Sequence, residues 1–130
     1  MTQEQKDLLL KDLCGRLPYG VIIEHEGNLS KLDTIFTCDS ISISSTSMDK
    51  NLYYNLDLDE FKPYLFPLSS MTEEQKVIYG DLCYGVIHSL AWDMQAELNE
   101  LVNWLNKNHF DYRGLIPMGL ANNAVGLNIY

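Results

Sequence analysis

The hydrophobic pattern opens on a period of three to four. Thr2 has an N-cap side chain, Gln5 sits three residues on as the partner of a capping box, and Glu4 suits the positive helix end. Leu9, Leu10 and Leu13 make one stripe, with Glu4, Lys6, Asp7 and Lys11 on the wet side. The spacing predicts a helix over about 3–14, ended by Gly15 and kept from resuming by Pro18. The pattern then shortens to two. Gly20-Val21-Ile22-Ile23 is rich in β-branched residues, 31–38 alternates imperfectly, 40–44 alternates cleanly with Ile41 and Ile43 on one face, and 52–58 alternates again. Strands are expected over about 19–26, 31–38, 40–44 and 52–58, with 45–51 as a polar hairpin loop, giving an antiparallel meander of about four strands.

Lys62-Pro63-Tyr64-Leu65-Phe66-Pro67-Leu68 interrupts this pattern. Each proline fixes its own φ and disfavours helix at the residue before it, so neither a helix nor an inner strand is expected to run through, and the apolar side chains predict a packed crossing. Asp57 to Phe61 before it reads as a short helical turn capped by Asp57 or Asp59. Thr72, Glu73, Glu74 and Gln75 repeat the capping signal, predicting a helix to about Cys83. Gly80, Gly85, Val86 and Ile87 leave both a break and a continuation open. From about 91 to 108 the pattern recovers, with Leu98, Leu101, Val102 and Leu105 on one stripe. The tail over 109–121 is too apolar to hang free, yet its prolines and glycines admit only short helical turns, and 122–130 is expected to fray.

The expected fold class is therefore α+β: one domain over 1–130, with an N-terminal helix, a β-rich part over about 19–61 and a helical C-terminal half over about 72–121. The meander and its closing turn have the order of an SH3-like small barrel. The strings Met1-Thr2-Gln3-Glu4-Gln5-Lys6 and Met71-Thr72-Glu73-Glu74-Gln75-Lys76 echo one another, as do Asp12-Leu13-Cys14 and Asp81-Leu82-Cys83. Capping chemistry accounts for this as well as duplication does.

Charge narrows the function classes. Eighteen acidic residues against nine Lys plus Arg give a formal charge of -9, which opposes a phosphate-tracking surface and makes nucleic acid an unlikely partner. No run of about 18 apolar residues occurs, so no membrane span is expected. Cys14, Cys38 and Cys83 are widely spaced without a CxxC pair, and read as buried small hydrophobes of a cytoplasmic protein.

Candidate chemistry is sparse. His25, His88 and His109 show no metal-ligand spacing, and GxSxG, GxxxxGK[ST] and GxGxxG are all missing, so no cofactor, metal or catalytic residue is assigned. The acidic cluster Asp57, Asp59 and Glu60 lacks the pattern of a calcium loop. His109 at a helix end suits the negative helix terminus. Asp111, Tyr112 and Arg113 could grip an anion or a partner peptide; the competing structural reading is Asp111 as an N-cap and Arg113 paired to a neighbouring carboxylate. Tyr64, with Tyr53, Tyr54 and Tyr112, adds aromatic surface for a binding role. The binding candidates are thus His109, Asp111, Tyr112, Arg113 and Tyr64.

Residues 62–74, Lys62 to Glu74, and 104–116, from Trp104-Leu105-Asn106-Lys107-Asn108-His109-Phe110 through Arg113-Gly114-Leu115-Ile116, resemble a family of small uncharacterised proteins from gut Bacteroides-type bacteria and their phages or mobile elements. The opening string Leu8 to Val21 is similar too. The resemblance implies an origin and carries no catalytic or binding residue. Three function classes follow. The first is a non-enzymatic accessory protein acting by protein-protein interaction, through the sheet face or the aromatic tail. The second is an acidic mimic of nucleic acid occupying a basic DNA-binding protein, which needs a continuous carboxylate stripe. The third is an enzyme of unfamiliar type using His109, Asp111 and Arg113, which needs those groups to converge in a pocket.

Overall fold

Both capping boxes form as their spacing predicts. In the computed structural model, which describes residues 1–38, 40–49, 51–90 and 92–130, helix α1 spans Gln3–Arg16 and helix α2 spans Glu73–His88, each closed by reciprocal Thr and Gln bonds. α1 runs through Gly15 instead of ending there. A Cβ at Gly15 would lie 3.0 Å from the Asn106 amide nitrogen, so the residue serves the close approach of another helix. The reversal falls at Gly20, where φ is 78° after a short 3-10 turn at Leu17–Tyr19.

The expected meander is present as β1 (Ile22–His25), β2 (Asn28–Phe36), β3 (Ser42–Ser47) and β4 (Tyr53–Asp57), all antiparallel neighbours. β3 runs three residues further than its Ile alternation suggested. Its inward face continues from Ile43 into Ser45 and Ser47, and buried Ser45 donates no charge to the core but bonds Ser30 at 2.9 Å across to β2.

The largest departure concerns the proline stretch. Lys62–Pro67 is strand β5, paired antiparallel with β1 and parallel with two later strands, so an inner strand does run through it. Pro63 and Pro67 are four apart. Strand alternation puts both missing donors on one edge, and Phe66 on the other edge donates its N–H to the His109 carbonyl at 2.8 Å.

Helix α2 continues past Gly80 and Gly85 to His88, and helix α3 spans Met94–Lys107. The expected start of α3 at Ala91 lies outside the described residues. The chain after α3 is not helical, which corrects the helical half expected over 72–121. Phe110–Asp111 forms β6 and Asn122–Asn123 forms β7, both parallel to β5. The segment expected to fray is also anchored: Ala124 is buried and donates its N–H to the Leu65 carbonyl at 2.9 Å.

The sheet order is β4-β3-β2-β1-β5-β6, with β7 also on β5. Its two ends do not meet, so the protein is an α+β fold with an open mixed sheet rather than an SH3-like barrel. Leu9 and Leu13 of α1 join Val21 just before β1, Ile23, Ile43 and Leu65 of the sheet and Leu115 of the tail in the main core. Met71, Leu105 and Phe110 centre a second cluster, flanked by Phe66, Tyr79 and Trp104, at the base of the α2–α3 hairpin. Cys14 and Cys38 are exposed and Cys83 is half-buried, contrary to the expectation of buried thiols. Cys14 falls outside the inward face of α1 formed by Leu9, Asp12, Leu13 and Arg16. No helix among the described residues is long and apolar enough to cross a membrane.

Candidate functional site

The inward face of α1 carries an ion pair at i and i+4. Asp12 and Arg16 are both fully buried, with Arg16 Nε donating to Asp12 Oδ2 at 2.7 Å and Nη2 donating to Asp12 Oδ1 at 3.1 Å. Arg16 Nη2 also donates to the Phe110 carbonyl at 2.6 Å, tying α1 to β6. Arg113 donates through Nε to Asp12 Oδ1 at 3.2 Å, and both guanidiniums stand over the Tyr112 ring, Arg16 at 5.2 Å and Arg113 at 4.9 Å. The Tyr112 hydroxyl donates to Asn106 Oδ1 of α3 at 2.9 Å. Asp12 is thus the common anion of two arginines, and desolvation of the buried charges is offset only while this set stays complete.

Asp111 looks the other way. Its carboxylate accepts the Leu115 N–H at 2.8 Å and the Ile116 N–H at 2.9 Å, holding the start of the tail. Arg113 therefore forms the ion pair of the structural reading, Asp111 braces the turn after β6 without capping a helix, and neither converges with His109 on a shared cavity.

His109 sits where the chain leaves α3, at a positive φ of 61°, with its ring stacked on Tyr130 at 3.6 Å between centroids. Tyr130 was not among the sequence candidates. Its hydroxyl donates to the Tyr64 carbonyl at 2.7 Å and accepts the Ile22 N–H at 3.0 Å, bridging β5 and β1. Tyr64 therefore contributes its backbone here. Burial lowers the His109 pKa to about 4, with the positive Arg16 guanidinium adding to the shift, so burial and repulsion override any stabilisation of the cation by the helix terminus. Burial likewise pushes the Tyr130 hydroxyl up to about 12.

His109 and Tyr130 line a cleft of about 350 Å³ with Phe66, Phe110, Lys107 and the Thr72 cap. A neutral imidazole there can exchange hydrogen bonds but supplies no cation at neutral pH. His109 Nδ1 and Arg16 Nη1 are buried without a hydrogen-bond partner. Asp12, Arg16 and Tyr130 were all missed by the sequence reading. The signal for the first two was the spacing 9, 12, 13, 16, which sets them on the face of Leu9 and Leu13; nothing local marked Tyr130.

The other unusual feature is the α2–α3 hairpin. Tyr79, Leu82, Cys83 and Val86 form the half-buried side of α2, and Tyr79 stacks on Trp104 of α3 at 6.3 Å. The opposite side is also apolar, with Val77, Tyr84 and Ile87 exposed, and no residue of α2 is fully buried. Exposure is concentrated at the far end: Tyr84 65%, Ile87 75% and Trp92 78%, with Leu90, Met94 and Leu98 also exposed. The stripe of α3 is covered near its end, at Leu105, and uncovered near its start, at Met94 and Leu98. By contrast, of Tyr53, Tyr54, Tyr64 and Tyr112 only Tyr53, on edge strand β4, is exposed.

No protein-family model, curated protein or solved structure matches the chain.

Proposed function

We propose that this chain is a non-enzymatic accessory protein of a phage or mobile element, acting by protein-protein interaction through the outer face of the α2–α3 hairpin. The observation that carries the reading is that α2 is apolar on both sides and covered on one. Exposed apolar surface gathered on one element marks an interaction site. The dispersal of Asp111 and Arg113 into structural bonds supports binding over catalysis, since it leaves His109 without those partners. The origin rests on the resemblance of residues 62–74 and 104–116.

The reading is tested with the double variant Tyr84→Ser, Ile87→Ser. Both side chains face solvent, so the melting temperature is expected to stay within a degree or two, whereas a partner captured by the wild-type chain is lost. A large drop in melting temperature would assign the pair to folding, and equal capture by both proteins would remove the hairpin from the interface.

A further inference from the structure

We infer that the element seated on the hairpin is a basic amphipathic helix of a partner protein; this rests on the docking reading above and names its occupant. From Val77 to Asn106 the sequence holds no Lys or Arg, while Asp81, Asp93, Glu97 and Glu100 all fall within it. Lys76 and Lys107 bracket the stretch at the base of the hairpin, and Lys76 is paired with Glu73 at 3.1 Å. His88, at the end of α2, packs its ring against Tyr84 at a tilt of 33° and 4.0 Å between centroids. Among the described residues of the hairpin between Lys76 and Lys107, the charged side chains are therefore carboxylates, with Asp81, Asp93 and Glu100 exposed. A complementary occupant carries apolar residues in its centre and cations on its flanks.

The outer stripe also has the spacing of a helix seam. Val77, Gly80, Tyr84 and Ile87 follow one another by three, four and three residues, the a and d pattern that receives the side chains of a facing helix. Gly80 leaves a hole in it, since a Cβ there would meet nothing within 4 Å. With an aromatic side chain offering roughly 150–250 Å², Tyr84 at 65% and Trp92 at 78% exposure together supply about 200–350 Å² of the ~800 Å² one partner gives a stable complex.

Charge selects among occupants. A second copy would bring two acid-only tips together, and a two-fold axis through the middle of α2 would set Asp81 against its own copy. An anionic lipid surface or a nucleic acid meets the same repulsion. A Lys- or Arg-flanked helix relieves it.

The test is selection from a displayed library of helical peptides with apolar residues fixed at a and d positions and all flanking positions randomised, panned on the full chain and on Ile87→Asp in parallel. Enriched peptides are expected to carry Lys or Arg at the flanks, and Asp81→Asn with Glu100→Gln, both exposed carboxylates, is expected to weaken the best of them about tenfold, the scale of two exposed ion pairs. Enrichment of neutral or acidic flanks would overturn the basic partner while leaving the docking face standing. Equal enrichment on Ile87→Asp would overturn the docking reading itself. Sedimentation as a dimer that Ile87→Asp dissociates would assign the tip to a second copy and overturn the inference.

Discussion

His109 shows how a single residue's environment reverses a local rule. A histidine after a helix is normally favoured as a cation, but here the ring lies buried against Tyr130 with Arg16 nearby, and its pKa falls to about 4. Unfolded, the same ring titrates near 6.5. Between those values the unfolded chain binds the extra proton, so stability falls as pH drops from about 6.5 to about 4, and His109 contributes no slope above that window. Urea unfolding at several pH values should show this slope in the wild type and lack its His109 share in His109→Asn, where Asn tolerates the positive φ. An equal slope in both would mean that the ring is not shielded as described. Asp12 makes a second residue-scale case. Asp12→Ala leaves the buried Arg16 guanidinium without its anion and should cost about 3–5 kcal/mol; a loss below 1 kcal/mol would show that Arg16 finds water or another partner.

At the scale of elements, glycines separate contacts that matter from those that do not. Gly80 and Gly15 are both helical, but only Gly15 faces a close neighbour, Asn106. Gly80→Ala should therefore stabilise by about 0.5–1 kcal/mol through helix propensity alone, whereas Gly15→Ala should destabilise by displacing the buried Asn106 amide from its bond with the Tyr112 hydroxyl. Thermal melts of the two variants check this, and the same sign for both would contradict it. β5 carries a related lesson: prolines four apart remove two donors from the same strand edge while leaving the other edge able to bond β6.

For the whole molecule, the sheet, α1 and the tail make one core, and the α2–α3 hairpin reaches away from it with apolar residues at its end. The two capping boxes illustrate the difference. They are chemically equivalent, yet α1 buries Leu9, Asp12, Leu13 and Arg16 while α2 buries nothing fully. The binding surface proposed above belongs to this scale, since it exists only because α3 covers one side of α2 and the second cluster covers the C-terminal end of α3.

What the sequence by itself determined is local: both helix starts, the four meander strands and the amphipathic stripe of α3, all set by interactions within a few residues. The ion pair of Arg113 was legible too, though its partner was not, since Asp12 is 101 residues away, and Asp111 holds a turn where a helix cap was the structural alternative. Tertiary structure alone decided the inner strand at Lys62–Pro67, the parallel returns of β6 and β7 and the anchoring of Tyr130, because each depends on partners far along the chain. It also decided that α2 stays half uncovered. A pattern of apolar residues states that a side chain would gain by leaving water, and only the packed fold determines whether the chain itself provides the cover.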